Sequence, residues 1–387
     1  MTAPNPPAEE YDPRLGTTVG GYELVEHIAD GATGSVYRAR RPDVPYALAL
    51  KILHRDHLDD RVTVERFRRE YDTALMLDHP HVVKVADFGH DADGIPFMVM
   101  ELLHGVELGG VLSRQGRLPV ARTLRILAQT ALALEHAHSF GVIHRDLKPD
   151  NIFLCDRPDG VDVRLLDFGS VKLQMELGEK LTAFGTTLGS PYYMSPEQAK
   201  GLQDLDARTD VFALTAVLYE CLTGQVAFEG KNVAEILMKI LRQHPAPPSS
   251  VDPALPRAID RVVARGLAKD KTERPSTPTE LVELAFAAFG LRGSVEAWAG
   301  RAEPDFQAAL AAAGAVARAQ VVPPTSAPSR SARAAPVGFP SAGAASRPVT
   351  SRPPGRGRGI ALFLALLVLF FVLGAVGVVA VLAVVGA

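Results

Sequence analysis

The run His144-Arg145-Asp146-Leu147-Lys148-Pro149-Asp150-Asn151 constrains this chain more than any other segment. It sets five ionisable side chains and an asparagine between an apolar, helix-like stretch and the apolar run Ile152-Phe153-Leu154. A solvated charged loop does not need this order of donors and acceptors. In this order a carboxylate can accept the proton of an attacking hydroxyl, and a lysine two positions on can neutralise phosphoryl oxygens. The asparagine oxygen can ligate a cation. Further on, Arg164-Leu165-Leu166-Asp167-Phe168-Gly169 puts a carboxylate at the end of an apolar strand with a flexible glycine behind it. Mg²⁺ favours one or two carboxylates plus substrate phosphates, and Asp167 with Asn151 supplies such a half-shell.

Two upstream features bear on the same chemistry. Gly31-Ala32-Thr33-Gly34-Ser35-Val36 lies between two strand-like runs. Glycines there let backbone amides approach phosphate oxygens, although a plain hairpin turn reads the same way. No Gly-Lys-Ser/Thr follows, so this is not a Walker A loop. Lys51 ends the alternation Leu48-Ala49-Leu50-Lys51. A lysine on a buried strand needs an anion, and Glu70 on the following helical segment is a partner for it; a solvated strand end is the other reading.

Strands come first and helices after. YELVEHI, SVYRARR, YALALKIL and PFMVMEL are short, β-branched or alternating runs broken by Gly or Pro. Asp91-Ala92-Asp93-Gly94 before the last of these predicts a hairpin turn, since the later ligands of a calcium loop are missing. Helical spacing runs over 63–77, 119–140, 207–223, 233–242, 256–268 and 279–289. This order predicts an α+β, two-lobed arrangement.

The sequence resembles the eukaryotic-like Ser/Thr protein kinases of bacteria over about residues 21–289. HRDLKPDN is similar to the kinase catalytic loop, DFG to the metal-binding motif, LALK to the lysine-bearing strand motif, and Ser195-Pro196-Glu197 to the APE position. The resemblance implies the two-lobed kinase fold and transfer of the ATP γ-phosphoryl to Ser or Thr hydroxyls of proteins. It implies that Asp146 takes the hydroxyl proton, Lys148 sits beside the transferred phosphoryl, and Asn151 and Asp167 hold Mg²⁺. Lys51, paired with Glu70, would bind the α- and β-phosphates, with Gly31 and Gly34 in the loop above them. Met100 looks like the gatekeeper of the adenine pocket. Glu101 and Leu103 would offer backbone hydrogen bonds to adenine, with Ile28, Val36 and Ala49 on its faces. Glu197 would pair with Arg274, and Asp210 would brace the catalytic loop. Arg145 implies regulation by autophosphorylation in the segment holding Thr182, Thr186, Thr187 and Ser190, with Thr186 or Thr187 expected to carry the phosphate. The family's first loop glycine is Ala29 here, which disfavours positive φ, and Asp30 brings a negative charge. A pseudokinase scaffold is the rival reading, and it needs a missing catalytic group.

The 47% apolar content suffices for a core, and two distant cysteines, Cys155 and Cys221, make no disulfide framework. The formal net charge is −3, yet seven arginines and no Lys, Asp or Glu lie between Arg318 and Gly359. The rest of the chain is therefore acidic, which argues against a nucleic-acid surface. Residues 1–20 are expected to be disordered and 290–359 to be a Pro/Ala/Ser/Arg-rich juxtamembrane linker beginning with a helix over 294–320. Ile360 to Ala387 carries no charge or proline, and 19 of its 28 residues are Leu, Ile, Phe or Val. That length and apolarity predict one transmembrane helix. With Arg352, Arg356 and Arg358 just before it, the kinase domain is expected on the cytoplasmic side of the cell membrane, held by a terminal anchor that favours transient self-association.

Overall fold

The computed structural model describes residues 12–168 and 191–320. The first part is a six-stranded antiparallel sheet in the order β1-β2-β3-β4-β6-β5. Its strands are β1 (Thr18–Val19), β2 (Tyr22–Asp30), β3 (Gly34–Arg40), β4 (Leu48–Leu53), β5 (Val85–His90) and β6 (Pro96–Glu101). The predicted turn joins β5 to β6: Asp91 accepts from the amides of Asp93 and Ile95, and Gly94 takes φ 80°. One helix, α1 (Arg61–Met76), packs on this sheet; it starts where Asp60 caps the Val62 amide. Leu24, Leu50, Ile52, Phe67 and Val99 close the lobe's core.

The second lobe is helical, as expected from the order of elements. A three-stranded sheet of β7 (Gly105–Glu107), β8 (Ile152–Arg157) and β9 (Gly160–Leu165) sits beside it. Its helices are α2 (Leu108–Gln115), α3 (Val120–Ser139), α4 (Pro196–Ala199), α5 (Ala207–Thr223), α6 (Val233–Arg242), α7 (Pro248–Val251), α8 (Arg257–Gly266), α9 (Pro278–Ala288), α10 (Val295–Ala299) and α11 (Glu303–Gln320). Helix α5 is capped by Asp206 and ends at the left-handed Gly224, and it is buried along nearly its whole length. It forms the post around which α3, α8 and α9 pack. Helix α2 escaped the sequence reading because two glycines weaken its helical signal.

Two boundaries need correction. Within the expected disordered segment 1–20, residues from Asp12 onward are fixed to the sheet: Tyr37 donates to Asp12 Oδ2 at 2.8 Å, and Thr18 and Val19 pair with Glu23 and Tyr22. The expected linker 290–359 begins as part of the folded lobe. Leu291, Val295, Trp298 and Phe306 are buried in the same core as α3. The Trp298 ring lies 4.7 Å from Phe306 and its indole N–H donates to the Arg292 carbonyl at 2.9 Å. Gln129 on α3 donates to the Ala299 carbonyl at 3.0 Å, and the Glu303 amide donates to Asp159 O at 3.0 Å. The expected single helix over 294–320 is therefore two, with Ser294 capping the first. Four large apolar side chains supply the burial that the alanines alone do not. Trp298→Ala is accordingly expected to destabilise the protein by about 3–5 kcal/mol, read as a lowered urea midpoint; an unchanged midpoint would show that the extension rests loosely on α3.

The N-terminal eleven residues, the segment 169–190 with Thr182, Thr186, Thr187 and Ser190, the arginine-rich stretch beyond 320 and the apolar segment 360–387 lie outside the described residues. Among the described residues, no helix is long and apolar enough to cross a membrane.

Candidate active site

Strand pairing sets the upper half of the site. Residues opposite one another in an antiparallel pair point to the same face. Val36 faces Lys51, and Ala49 faces Met100. These side chains share one face of the sheet, while Tyr37, Ala39, Leu50 and Ile52 fill the other. Ile28 sits at the irregularity in the β2–β3 pairing and is 46% exposed, at the open edge of that face. Gly34 is required by space: a Cβ there would meet the Ile52 carbonyl oxygen at 2.3 Å. Ala29 lies in β2 opposite Val36, and Arg145 and Asp167 are the non-glycine residues with positive φ among the described residues. Alanine in place of the family's glycine therefore strains nothing.

Lys51 on β4 donates to Glu70 Oε1 on α1 at 2.7 Å and to Asp167 Oδ1 at 3.5 Å. Burial works against the ammonium, but the Asp167 and Glu70 carboxylates outweigh it and raise the Lys51 pKa. The same lysine, against burial, holds the Asp167 carboxyl well below the usual range. Burial pushes Glu70 up, and the Lys51 charge only partly offsets this. The cationic Lys51 between two carboxylates is thus the centre of this half of the site. Glu101 ends β6; its side chain accepts from the Lys84 amide at 2.9 Å and lies 3.4 Å from Arg164 on β9, so it ties the segment between the lobes to the second sheet. Leu103 follows in that segment, half-buried.

The lower half is the loop that the sequence marked. Asp146 Oδ2 accepts from Lys148 Nζ at 3.0 Å. Asn151 Nδ2 donates to the Asp146 carbonyl at 2.7 Å and approaches its Oδ2 at 3.4 Å. The Asn151 amide is thereby oriented with its nitrogen toward Asp146, and its oxygen accepts no hydrogen bond from the described residues. Two links join Asp167 to this loop. The Leu166 amide donates to Asn151 O at 2.9 Å, and His144 Nε2 donates to the Leu166 carbonyl at 2.9 Å. The Phe168 ring is buried 4.8 Å from His144. An amide oxygen and an ionised, half-exposed carboxylate suit a hard divalent cation that keeps water and phosphate ligands.

The loop is held from below. Buried Asp210 on α5 accepts from the amides of His144 and Arg145, both at 2.9 Å, and from His138 Nε2 at 2.7 Å. Burial alone would raise this carboxyl, yet the hydrogen bond from His138 and the other donors hold it low, so it stays ionised. Such anchoring offsets the left-handed φ of 66° at Arg145 and, through the His144–Leu166 bond, 57° at Asp167.

A family profile described as the protein kinase domain matches residues 22–287. The chain belongs to the protein kinase family. All the residues above fall inside the matched span. Over 278 residues it is 39% identical to the serine/threonine-protein kinase Pkn3 of Myxococcus xanthus, covering 70% of this chain and 50% of that protein. Over 275 residues it is 39% identical to the serine/threonine-protein kinase PknE of Mycobacterium tuberculosis, covering 71% and 47%. The chain thus spans about half the length of these curated relatives. The crystal structure of the M. tuberculosis PknI kinase domain superposes with a TM-score of 0.58 at 28% identity, covering 71% of this chain and 98% of that one.

Sequence reasoning missed one kinase contact below the loop. Gln198 donates to the Arg145 carbonyl at 2.7 Å from α4, whose start is a capping box formed by Ser195 and Gln198. Ser-x-x-Gln before a helix is readable as that signal, although its contact with the loop is not.

Proposed function

We propose that this chain transfers the γ-phosphoryl of ATP to Ser or Thr hydroxyls of proteins. The observation that carries the proposal is Asp146, hydrogen-bonded at one oxygen to Lys148 and held by Asn151, in a loop anchored on buried Asp210. Phosphoryl transfer asks the protein for positioning and charge compensation more than for covalent chemistry. Asp146 orients the substrate hydroxyl and receives its proton. Lys148 neutralises the phosphoryl oxygens as charge shifts toward them. Lys51, aligned by Glu70, holds the α- and β-phosphates. Val36 and Ala49 line the adenine face with Ile28 at its edge, while the backbone of Glu101 and Leu103 meets the base edge. Bound at Asn151 and Asp167, Mg²⁺ would supply charge compensation between the phosphates. No group of this set is missing, which disfavours a scaffold role.

The relatives' descriptions as serine/threonine kinases support the choice of hydroxyl. The Arg145 motif supports regulation by autophosphorylation at Thr186 or Thr187. The apolar run 360–387 supports attachment to the cell membrane with the kinase on the cytoplasmic side. Incubation with γ-labelled ATP, Mg²⁺ and a generic protein substrate, followed by acid hydrolysis, is expected to yield phosphoserine or phosphothreonine. Phosphotyrosine alone, or no labelled protein, would overturn the proposal.

A further inference from the structure

The hairpin between β2 and β3 carries the glycine loop, and a set of polar side chains grips it from the segment that follows β4. Ser35 Oγ lies 2.6 Å from Asp30 Oδ1 and 3.1 Å from His54 Nε2. His27 Nε2 lies 3.1 Å from the same Asp30 oxygen. His57 Nε2 lies 3.2 Å from the Ala32 carbonyl, and the His54 amide donates to the Thr33 carbonyl at 2.9 Å. Asp30, whose negative charge the sequence sets in the glycine loop, is turned into this network; hydrogen bonds from Ser35 and then His27 hold its carboxyl low.

The partners fix the direction of each bond. Ser35 commits its one proton to the carboxylate, so His54 Nε2 donates to Ser35. His27 donates to Asp30, and His57 donates to the Ala32 carbonyl, because neither acceptor has a proton to give. The resemblance to a Ser-His-Asp triad therefore ends at composition: the serine proton goes to the aspartate and no imidazole can take it.

The brace has a consequence for the loop's amides. Every described peptide bond is trans, so each N–H points opposite to the carbonyl of its own peptide plane. Holding Ala32 O and Thr33 O toward the histidines aims the N–H groups of Thr33 and Gly34 the other way. Amides so aligned form an anion-binding concavity, and fixing them beforehand removes part of the ordering cost of binding. We propose that His57 is a positioning residue whose imidazole, by holding the Ala32 carbonyl, aims the Thr33 amide at the phosphates of the nucleotide. The His54 imidazole steadies the same hairpin through Ser35 Oγ; the Thr33 carbonyl is held by the His54 backbone amide, which a side-chain substitution leaves in place. This rests on the phosphoryl-transfer reading above.

The test uses the full chain with His57→Ala, His57→Gln, His54→Ala and the double alanine variant. Arg55→Ala is the control: Arg55 is on the same turn, but its guanidinium faces Asp93. ATP Kd, ATP KM, kcat and Tm are measured for each. Loss of one such hydrogen bond is expected to raise ATP Kd and KM about two- to tenfold, more in the double variant, with kcat near wild type. His57→Gln, which keeps a donor, is expected to recover most of the affinity, and Arg55→Ala to leave it unchanged. Unchanged Kd and KM in the double variant would overturn the proposal. So would a fall in kcat that tracks Tm while KM stays fixed, since that marks a merely structural role. A wild type that binds ATP with brace-dependent affinity yet transfers nothing would support the brace and refute phosphoryl transfer.

Discussion

Asp146→Asn is expected to lower kcat by about 10²–10⁴-fold, the range for loss of a positioned general base, while ATP affinity stays close to wild type. The structure explains the separation. Asn151 is held chiefly by the backbone carbonyl of Asp146, and the loop amides by Asp210, so neither support depends on the Asp146 carboxylate. Lys51, proposed to hold the phosphates, has its own partners in Glu70 and Asp167. The substitution removes the acceptor for the hydroxyl proton and the countercharge 3.0 Å from Lys148 Nζ, and little else. Steady-state kinetics beside calorimetric ATP binding checks this. A kcat retained within about threefold of wild type would show that Asp146 is not the proton acceptor.

Arg274→Ala is expected to destabilise the protein by about 3–5 kcal/mol, because it leaves a charge buried without its partner. Arg274 is fully buried and donates to both carboxylate oxygens of Glu197 at 2.7 Å, to Ala268 O at 2.9 Å and to Arg208 O at 2.9 Å. Thr209 donates to the same carboxylate at 3.0 Å. The pair therefore locks α4 onto α5 and the turn after α8. Burial works to raise the Glu197 carboxyl, but Arg274 and its other donors lower it overall. A depressed folded pKa stabilises above the unfolded carboxylate pKa and is lost as pH falls through the folded value. The difference between wild type and Arg274→Ala in urea unfolding should accordingly be full at neutral pH and shrink only in strong acid. Equal midpoints at pH 7 would show that the pair contributes no net stability.

What the sequence made legible follows from the range of the interactions involved. Helix α6 could be bounded to the residue because Asn232 caps it and basic residues close it, all within one segment. The Lys51–Glu70 pair was readable because a buried ammonium must find an anion, whatever the fold. The order Asp146, Lys148, Asn151 was readable because the hydrogen bonds joining these three close inside the loop. The brace on the glycine hairpin was not readable, since His54 meets Ser35 only through strand pairing nineteen residues apart. The docking of residues 291–306 was hidden for the same reason: its contacts are with α3 and the β8–β9 turn, and its one tryptophan stands among alanines.

The proposed role of Asp146 is to take the hydroxyl proton as the γ-phosphoryl of ATP passes to Ser or Thr. Its most direct test measures γ-phosphoryl transfer from ATP to a Ser/Thr-containing protein by wild type and Asp146→Asn side by side, with Mg²⁺ present or chelated, on samples shown to bind ATP equally. The expected result is phosphoserine or phosphothreonine formed by wild type with Mg²⁺ and lost on chelation or substitution. Equal labelling by the two proteins, whether both high or both at background, would contradict it.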